Sequence, residues 1–513
     1  MNVMRKLIST PGQLILISLL LAGFSNAADR EKNIVPHPND PIPKTEVKKF
    51  TRAQAAADSR KPNILLILVD DMGYGDPQCF NPKSRLKTPG IDRLAREGLM
   101  FRDAHSPHAT CIGSRYGLLT GRYPIRDRYT SIKPDKITLP KLLKRNGYTT
   151  GMVGKWHVGF DGYRNNGGKV KQTMTGGPVD RGFEEYFGLA GSLDQPPYYY
   201  IRNREPVEMP TEDGKGAHYF SEGHFYNGNW LPGKIAPNFK HVEVTPRLTT
   251  EAITYIEKSA NKEKPFFLYF ALPSPHGPWV PTDAFKGKSP IGVYGDFVMQ
   301  VDDSIGQVLQ ALDDHGVTKN TLVIFTSDNG PVWYKRDRLK HNHSSASIYS
   351  GMKGDHWEGG HRVPFVVRWP SVISPSIASD SMICFTDIMA TLAAVVGDEF
   401  PEAAITDSRS FLPVMKRDNT YRVRNTMILN AKNKAVVFRH HNWKLITKKG
   451  PGGFTHWKPG VNTKDLPEGQ LYDLSKDPAE QNNLWDTMPE KVKGLQSMLE
   501  AEKFNKKNDL TLK

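Results

Sequence analysis

Short runs of apolar residues alternate along the chain with segments of helical periodicity. The runs at 64–69, 149–153, 266–271 and 322–326 predict strands. Because these runs are almost continuously apolar, we expect strands that are buried on both faces, as in a parallel sheet. The pattern predicts an α/β fold: a large mixed, mostly parallel sheet flanked by helices.

Helix signals stand between these strands. Thr88-Pro89 opens a helix that Gly98 closes, and a second helix is framed by Thr138 and Gly147. Apolar residues recur every three or four positions over 298–312, which predicts a third. Asp pairs at 302–303 and 313–314 fall within or near that helix, and we interpret them as solvated or capping residues.

The pattern changes near residue 425. Short, closely spaced apolar runs at 427–429, 435–438 and 443–446 are hairpin-like, and 488–503 has the period of an amphipathic helix. They predict a small C-terminal α+β subdomain with an antiparallel sheet. The predicted organisation is a signal peptide over 1–27, an extended lead-in over 28–60, the main α/β domain over 61–410 and the subdomain over 411–513.

The N-terminal segment has the features of a secretory signal peptide. Arg5 and Lys6 precede an apolar stretch over 14–24, which ends at the small-residue site Ser25-Asn26-Ala27. The stretch is shorter than the ~18–20 residues that cross a bilayer. We therefore expect cleavage after Ala27, a periplasmic or secreted protein and no stable membrane anchor.

Composition narrows the class of protein. The 513 residues are 38% hydrophobic, too many for a disordered chain, and the formal net charge is +15. This charge favours acidic partners: nucleic acid, anionic membranes, or sulfated, carboxylated or phosphorylated molecules. Three cysteines exclude a disulfide scaffold and a thiolate zinc cluster. We expect Cys79 and Cys384 to be free buried thiols, although an oxidising compartment would permit a bridge.

Polar residues follow two of the predicted strands directly. Asp70-Asp71 ends the first, and Asp328-Asn329 follows the strand at 322–326. Ligands of open α/β sheets bind outside the carboxyl ends of the strands, so these side chains should meet there. Each pair alone could cap a helix, but two pairs at two strand ends favour a cation. Their oxygen atoms suit Ca²⁺ or Mg²⁺.

In a third element, helical spacing from Ser114 to Thr120, ended by Gly121, places Cys111 at or just before the start of a helix. Amides and the helix dipole at its start would favour an anion and lower the pKa of the Cys111 thiol. Arg115, one turn further on, can face the same site. A Cys-x5-Arg phosphatase loop would need arginine at 117, which is glycine.

The segment from Cys111 to Arg122 resembles the signature of the type I sulfatases of the alkaline-phosphatase superfamily, in which Cys-x-Pro-x-Arg is followed by Leu-Thr-Gly-Arg. Other family-like phrases stand in order from about residue 60 to 500. They are Asp70-Asp71, Lys155-Trp156-His157, Ser274-Pro275-His276, Asp328-Asn329 and Gly351-Met352-Lys353-Gly354. Each phrase alone is weak, and together they resemble the family over the whole chain.

The resemblance implies that a maturation enzyme oxidises Cys111 to formylglycine, whose hydrate attacks sulfur and then expels sulfate. Asp70, Asp71, Asp328 and Asn329 would hold a divalent cation, Ca²⁺ rather than Mg²⁺, whose shell the group at 111 would complete.

It also implies roles for the basic side chains. Arg115, Lys155 and Lys353 would bind the sulfate oxygens. His157 would be the base that breaks down the hydrate, and His276, helped by Lys353, the acid for the leaving alkoxide. The spacing of Lys155 and His157 after a strand would place both on one side of an extended segment.

The sequence departs from the family at Gly113, where proline or alanine is usual, and at Ile112. Proline early in a helix fixes φ in advance, so Gly113 leaves the turn more flexible before folding. We expect incomplete maturation in a foreign host, and higher activity of Gly113→Pro if the turn tolerates proline.

Two other functions remain open. A phosphatase or phosphodiesterase could share the fold, but such relatives use Ser or Thr and two transition metals held by several His. A non-catalytic binder of anionic glycans would need no complete catalytic set. We expect a sulfated carbohydrate or aryl sulfate as substrate, and no nucleic acid partner. Aromatic residues over 196–200 and in the 212–230 insertion could stack on sugars or simply pack.

Overall fold

The computed structural model describes residues 61–127, 131–161, 170–217, 226–399, 407–418, 420–456 and 462–503. Its strands are β1 (Asn63–Asp70), β2 (Leu99–Phe101), β3 (Ala104–His105), β4 (Thr149–Lys155), β5 (Glu185–Leu189), β6 (Ile201–Arg202), β7 (Glu205–Pro206), β8 (Glu212–Gly214), β9 (Gly233–Ile235), β10 (Phe266–Pro275), β11 (Thr321–Ser327), β12 (Phe365–Arg368), β13 (Ile377–Ser379), β14 (Ile383–Cys384), β15 (Thr426–Asn430), β16 (Val436–His440), β17 (Trp443–Ile446) and β18 (Gln470–Asp473).

Its α-helices are α1 (Pro89–Glu97), α2 (Cys111–Thr120), α3 (Pro124–Asp127), α4 (Leu139–Arg145), α5 (Val244–Ala260), α6 (Val293–Asp314), α7 (Lys335–His341), α8 (Glu358–His361), α9 (Asp387–Val396), α10 (Leu412–Met415) and α11 (Pro489–Lys503). Short 3₁₀ turns lie at Pro178–Arg181, His241–Glu243, Thr318–Asn320 and Thr463–Asp465. Within the described ranges, no helix is both long and apolar enough to cross a membrane.

Ten strands form one mixed sheet in the order β13-β2-β12-β11-β1-β10-β4-β5-β6-β7. The strands β11, β1, β10, β4 and β5 are parallel neighbours, and β12, β6 and β7 run antiparallel to theirs. The predicted α/β class with a mixed, mostly parallel sheet is confirmed.

The four strands predicted from the sequence are β1, β4, β10 and β11, and they are consecutive in the sheet. Every residue of β10 and β11 is buried, and so is all of β1 after Asn63. This double burial explains their continuous apolar runs. Their carboxyl ends meet at one edge, which places the polar residues that follow them side by side.

The C-terminal subdomain is a four-stranded antiparallel sheet in the order β15-β16-β17-β18. One face of it packs against α11, where Leu495 and Leu499 join a buried cluster with Phe438 and Leu445. The predicted hairpins correspond to β15–β17 and the predicted helix to α11. The strand β18 was not predicted, because its four residues show no extended apolar run.

Several polar residues serve the fold rather than the site. Asp302 of α6 is buried and accepts the backbone N–H groups of Gly90 (2.9 Å) and Ile91 (2.8 Å), so it caps the neighbouring helix α1. His343 is buried on Asp76, with 2.9 Å between Nε2 and Oδ1. Cys79 and Cys384 are free and buried, as predicted.

Candidate active site

The polar residues that follow β1 and β11 are neighbours in space. Val69 pairs with Ser327 across the two parallel strands, so the next residues leave the sheet together. The Asn329 amide donates to Asp71 Oδ1 at 2.6 Å, and the Asp71 backbone N–H donates to Asp328 Oδ1 at 3.3 Å. Asp71 has φ 65, a left-handed conformation that is costly for a non-glycine residue and typical of functional sites.

Two oxygen atoms of this group are left without a hydrogen bond. Asp70 Oδ1 and Asn329 Oδ1 are buried and have no partner among the described residues. An unmatched buried oxygen is costly, and an Asp–Asn oxygen set is what a hard cation prefers. Asp70, Asp71, Asp328 and Asn329 therefore fit a divalent cation.

Three buried cationic side chains surround the carboxylates. Arg115 lies one turn into α2, and its guanidinium donates to Asp70 Oδ2 and Asp328 Oδ2, each at 3.0 Å. Lys155, the last residue of β4, contacts Asp70 Oδ2 at 2.5 Å. Lys353 contacts Asp71 Oδ1 at 2.6 Å. The carboxylates of the site therefore hold all three cationic side chains in place.

Burial and the neighbouring charges shift the pKa values of the three carboxyl groups in different directions. Burial opposes ionisation of Asp70, but the charges of Lys155, His276 and Arg115 outweigh it and lower the pKa below its usual value. For Asp328, burial and the charge of Asp70 raise the pKa to about 7. Burial likewise raises the pKa of Asp71, against Lys353.

Cys111 is the first residue of α2, so the predicted helix start is correct. Its sulfur and carboxylate oxygens of Asp70 and Asp328 all lie within 4.8 Å of one another. The predicted direction of the thiol pKa was wrong: burial raises the pKa of Cys111, outweighing the charges of Lys155 and Lys353. The sequence pattern showed the helix start but could not show that the thiol is only 7% exposed.

His157 and His276 stand at the same edge. The φ of His157 is 60, so the segment turns after β4 rather than staying extended as predicted, and Nδ1 is buried without a partner among the described residues. Burial, with Lys155 and Arg115, lowers the pKa of His157. His276 Nε2 lies 3.8 Å from Asp71 Oδ2. Burial, with Lys353 close by, lowers the pKa of His276 to about 4.

Two further residues lie near the site: Ser192, which was not singled out from the sequence, and Tyr226, which was proposed only as a sugar contact within the 212–230 insertion. Ser192 Oγ accepts a hydrogen bond from Lys155 Nζ at 2.7 Å. Tyr226 packs its ring 4.9 Å from that of His276, in space that the missing side chain of Gly277 leaves open. Ser192 stands in a loop without a motif, so nothing in its sequence context marks it.

The aromatic segments proposed for sugar contact behave differently from one another. The rings of Tyr198 and Tyr200 pack on Phe239, so they serve the core rather than offer a free face. Trp230 stacks on His241, with 4.2 Å between ring centroids. Residues 218–225 lie outside the described residues. Among the described residues of the insertion, Tyr226 contacts His276.

The fold and the site together define a hydrolase of the alkaline-phosphatase-like class with a cysteine as the first residue of α2. The model of the Sulfatase family matches residues 62–397, and that of the N-sulphoglucosamine sulphohydrolase C-terminal family matches residues 353–509. The chain belongs to the sulfatase family and is a sulfuric ester hydrolase.

Relatives support this membership along almost the whole chain. N-acetylgalactosamine-6-O-sulfatase of Bacteroides thetaiotaomicron is 33% identical over 488 residues, covering 87% of this chain and 94% of that protein. Human steryl-sulfatase is 30% identical over 509 residues, covering 84% and 85%. A solved structure from work on the metabolism of multiple glycosaminoglycans by Bacteroides thetaiotaomicron has a TM-score of 0.76 at 31% identity, covering 87% and 100%.

Proposed function

We propose that this sulfatase removes sulfate esters from a sulfated carbohydrate, using formylglycine made from Cys111 and a Ca²⁺ ion. One observation carries the proposal: the cysteine sulfur lies within 4.8 Å of two buried carboxylates that Arg115 joins. These contacts bring together an oxidisable residue, carboxylate oxygens that would hold a cation and an arginine that would bind an anion.

The cation would be held by Asp70, Asp71, Asp328 and Asn329, where the two unmatched oxygens supply free ligand positions. Formylglycine and Ca²⁺ together would supply an oxygen nucleophile of lowered pKa and neutralise charge on the sulfuryl group.

The protein's basic side chains would bind the sulfate group. Lys155 and Arg115 are already held by Asp70, so they are oriented before the substrate arrives and cost no reorganisation on binding. Lys353 is held in the same way by Asp71. Charge-assisted hydrogen bonds from these three side chains would bind the sulfate oxygens.

We assign one proton transfer to each of the two histidines. Burial keeps His157 neutral at neutral pH, so its ring can accept a proton as a general base. His276 donates from Nδ1 to the carbonyl oxygen of Gly277 at 2.7 Å, which leaves Nε2 to face the leaving group. In the neutral ring Nε2 carries no proton, so we propose that it gains one from solvent when the bound sulfate anion raises its pKa, and that His276, with Lys353 beside it, then protonates the departing alkoxide.

The carbohydrate part of the proposal is supported by the relatives and the net charge of +15. The similarity to steryl-sulfatase keeps an aryl or steryl sulfate as the alternative. We further propose export with cleavage after Ala27, maturation by a formylglycine-generating enzyme, and a boundary at residue 410 between the catalytic domain and the C-terminal subdomain. N-terminal sequencing of the exported protein tests the cleavage site.

The test of the function is a desulfation screen over sulfated glycans and aryl sulfates that reads released sulfate. The matched control is Cys111→Ala, which leaves the carboxylates and cations in place. We expect release from at least one sulfated sugar, and none with Cys111→Ala. Release only from aryl or steryl sulfates would contradict the carbohydrate assignment, and turnover of phosphate esters alone would favour the phosphoesterase.

A further inference from the structure

The helix α7 (Lys335–His341) is strongly basic and has no buried residue. Four of its side chains are exposed cations, namely Lys335, Arg336, Arg338 and Lys340. Its one carboxylate, Asp337, accepts the backbone N–H of Tyr334 at 3.1 Å and so caps the helix. The helix therefore presents a surface of nearly uniform positive charge.

A second basic segment lies against the end of this helix. Over residues 83–87, exposed and buried residues alternate, so Lys83, Arg85 and Lys87 face solvent while Ser84 and Leu86 are buried. The Arg85 guanidinium donates to the carbonyl of His341 at 2.9 Å, which joins the two segments. We call the seven exposed cations the basic rim: Lys83, Arg85, Lys87, Lys335, Arg336, Arg338 and Lys340.

The start of α7 follows closely on the candidate cation ligand Asn329 along the chain. The chain reaches α7 six residues after Asn329, and six residues span at most about 20 Å. Between them, the carbonyl of Pro331 accepts the backbone N–H of Lys353, so this connection also holds a sulfate-binding lysine. A polymer bound at the reaction site would therefore need to extend by no more than about 20 Å to reach the first residue of the rim on α7.

The basic rim places like charges next to each other on α7, which destabilises this helix. Arg336 and Lys340 are four residues apart, and Lys335 and Arg338 are three apart, so like charges face each other on the helix surface. Such pairs destabilise an isolated helix, and no residue of α7 is buried to compensate. Bound anions would relieve this repulsion.

We propose that the basic rim binds the anionic polysaccharide that carries the reacting ester, through sulfate or carboxylate groups on sugars outside the reaction site. This proposal rests on the proposed function. A nucleic acid fits less well, because the ring of Tyr334 stacks on His456 and lies under Arg336. A membrane fits less well because α7 has a single apolar residue, Leu339.

The test compares two triple variants that remove the same charge. The rim variant is Arg336→Gln/Arg338→Gln/Lys340→Gln. The control is Lys262→Gln/Lys264→Gln/Lys319→Gln, whose exposed lysines precede β10 and β11 and so lie at the opposite edge of the sheet. Thermal unfolding first establishes that both variants fold.

Two readouts are then measured: kcat/KM on a sulfated polysaccharide and on an aryl sulfate, and binding of fluorescent heparin in a Cys111→Ala background. We expect the rim variant to lose about tenfold in kcat/KM on the polymer at low salt, with a shallower salt dependence. Its kcat/KM on the aryl sulfate and the behaviour of the control should stay within about twofold.

The outcomes separate the two proposals. If the unmodified protein releases sulfate from no substrate, the proposed function fails. A loss of heparin binding in the rim variant alone would still support an anion-binding surface. Equal losses in the rim and control variants would overturn the rim, because net charge alone would then explain binding. Binding of RNA and of anionic phospholipid vesicles is measured in the same way. A loss of binding in the rim variant that is seen only with one of these two ligands would overturn the polysaccharide as the ligand of the rim.

Discussion

The ring of His108 occupies the space that a side chain at position 113 would need. A β-carbon on Gly113 would lie 2.5 Å from Cγ and 2.6 Å from Cβ of His108, well inside van der Waals contact. The ring is held there because its Nδ1 accepts the Thr110 backbone N–H at 3.0 Å. Higher activity of Gly113→Pro was expected only if the turn tolerates proline. The contact with His108 shows that it leaves no room for a side chain at 113.

Gly113→Pro should consequently destabilise the protein. The helix backbone accepts proline in its first turn, so the cost comes from overpacking against His108, about 1–3 kcal/mol. His108→Gly, which removes both the ring and the β-carbon that clash, should restore most of that loss when the two changes are combined. A double-mutant cycle on thermal unfolding measures the coupling, and purely additive effects would show that the ring and position 113 do not compete.

Removal of divalent cations should abolish sulfate release and lower the unfolding temperature, because the buried carboxylates then lose a ligand that binds the folded state. Ca²⁺ should restore both better than Zn²⁺, since the ligands are oxygens. Asp328→Ala should be inactive and show no Ca²⁺-dependent stabilisation. Asp302→Asn, a buried aspartate of the fold, serves as the control and should retain that stabilisation. Full turnover by metal-stripped enzyme would contradict the cation site.

The titration of Asp302 should make the free energy of unfolding depend on pH. Burial raises the pKa of this carboxyl to about 7, although the Gly90 and Ile91 amides oppose the shift. Because the folded-state pKa lies above the unfolded one, the proton stabilises the folded state at low pH, and this contribution is lost as pH rises from about 4 through 7.

Asp302→Asn removes this titration. We expect the free energy of unfolding of the variant, relative to the unmodified protein, to rise between pH 5 and pH 8 by about 1–3 kcal/mol. Denaturant unfolding at several pH values measures it. A constant difference over this range would mean that Asp302 does not titrate there.

Gly277→Ala should reduce turnover through Tyr226. A β-carbon at 277 would lie 1.9 Å from Cδ1 of Tyr226, whose ring packs on His276. Displacing the ring should disturb the orientation of His276 and lower kcat by about 10- to 100-fold, with a smaller change in KM. Gly306→Ala is the control, since nothing lies within 4 Å of its β-carbon, and it should keep full activity. Unchanged kcat in Gly277→Ala would exclude this positioning role.

The central strands and the clustering of the candidate cation ligands were predictable for the same physical reason. Strands buried on both faces give continuous apolar runs, and Asp70 and Asp328 stand where such runs end. Short edge strands such as β2 and β13 have three residues each, too few for a pattern. Ser192 and the direction of the Cys111 pKa depend on burial by residues distant in sequence, which periodicity does not reveal.

The mass of the tryptic peptide that ends at Arg115, measured together with specific activity, tests the central claim most directly. We predict that active preparations carry an aldehyde in place of the Cys111 thiol, and that specific activity rises in proportion to the converted fraction. Cys111→Ala should be inactive while still binding Ca²⁺, because no carboxylate is changed. Full activity from a sample in which Cys111 is entirely unmodified thiol, or from Cys111→Ala, would contradict the account.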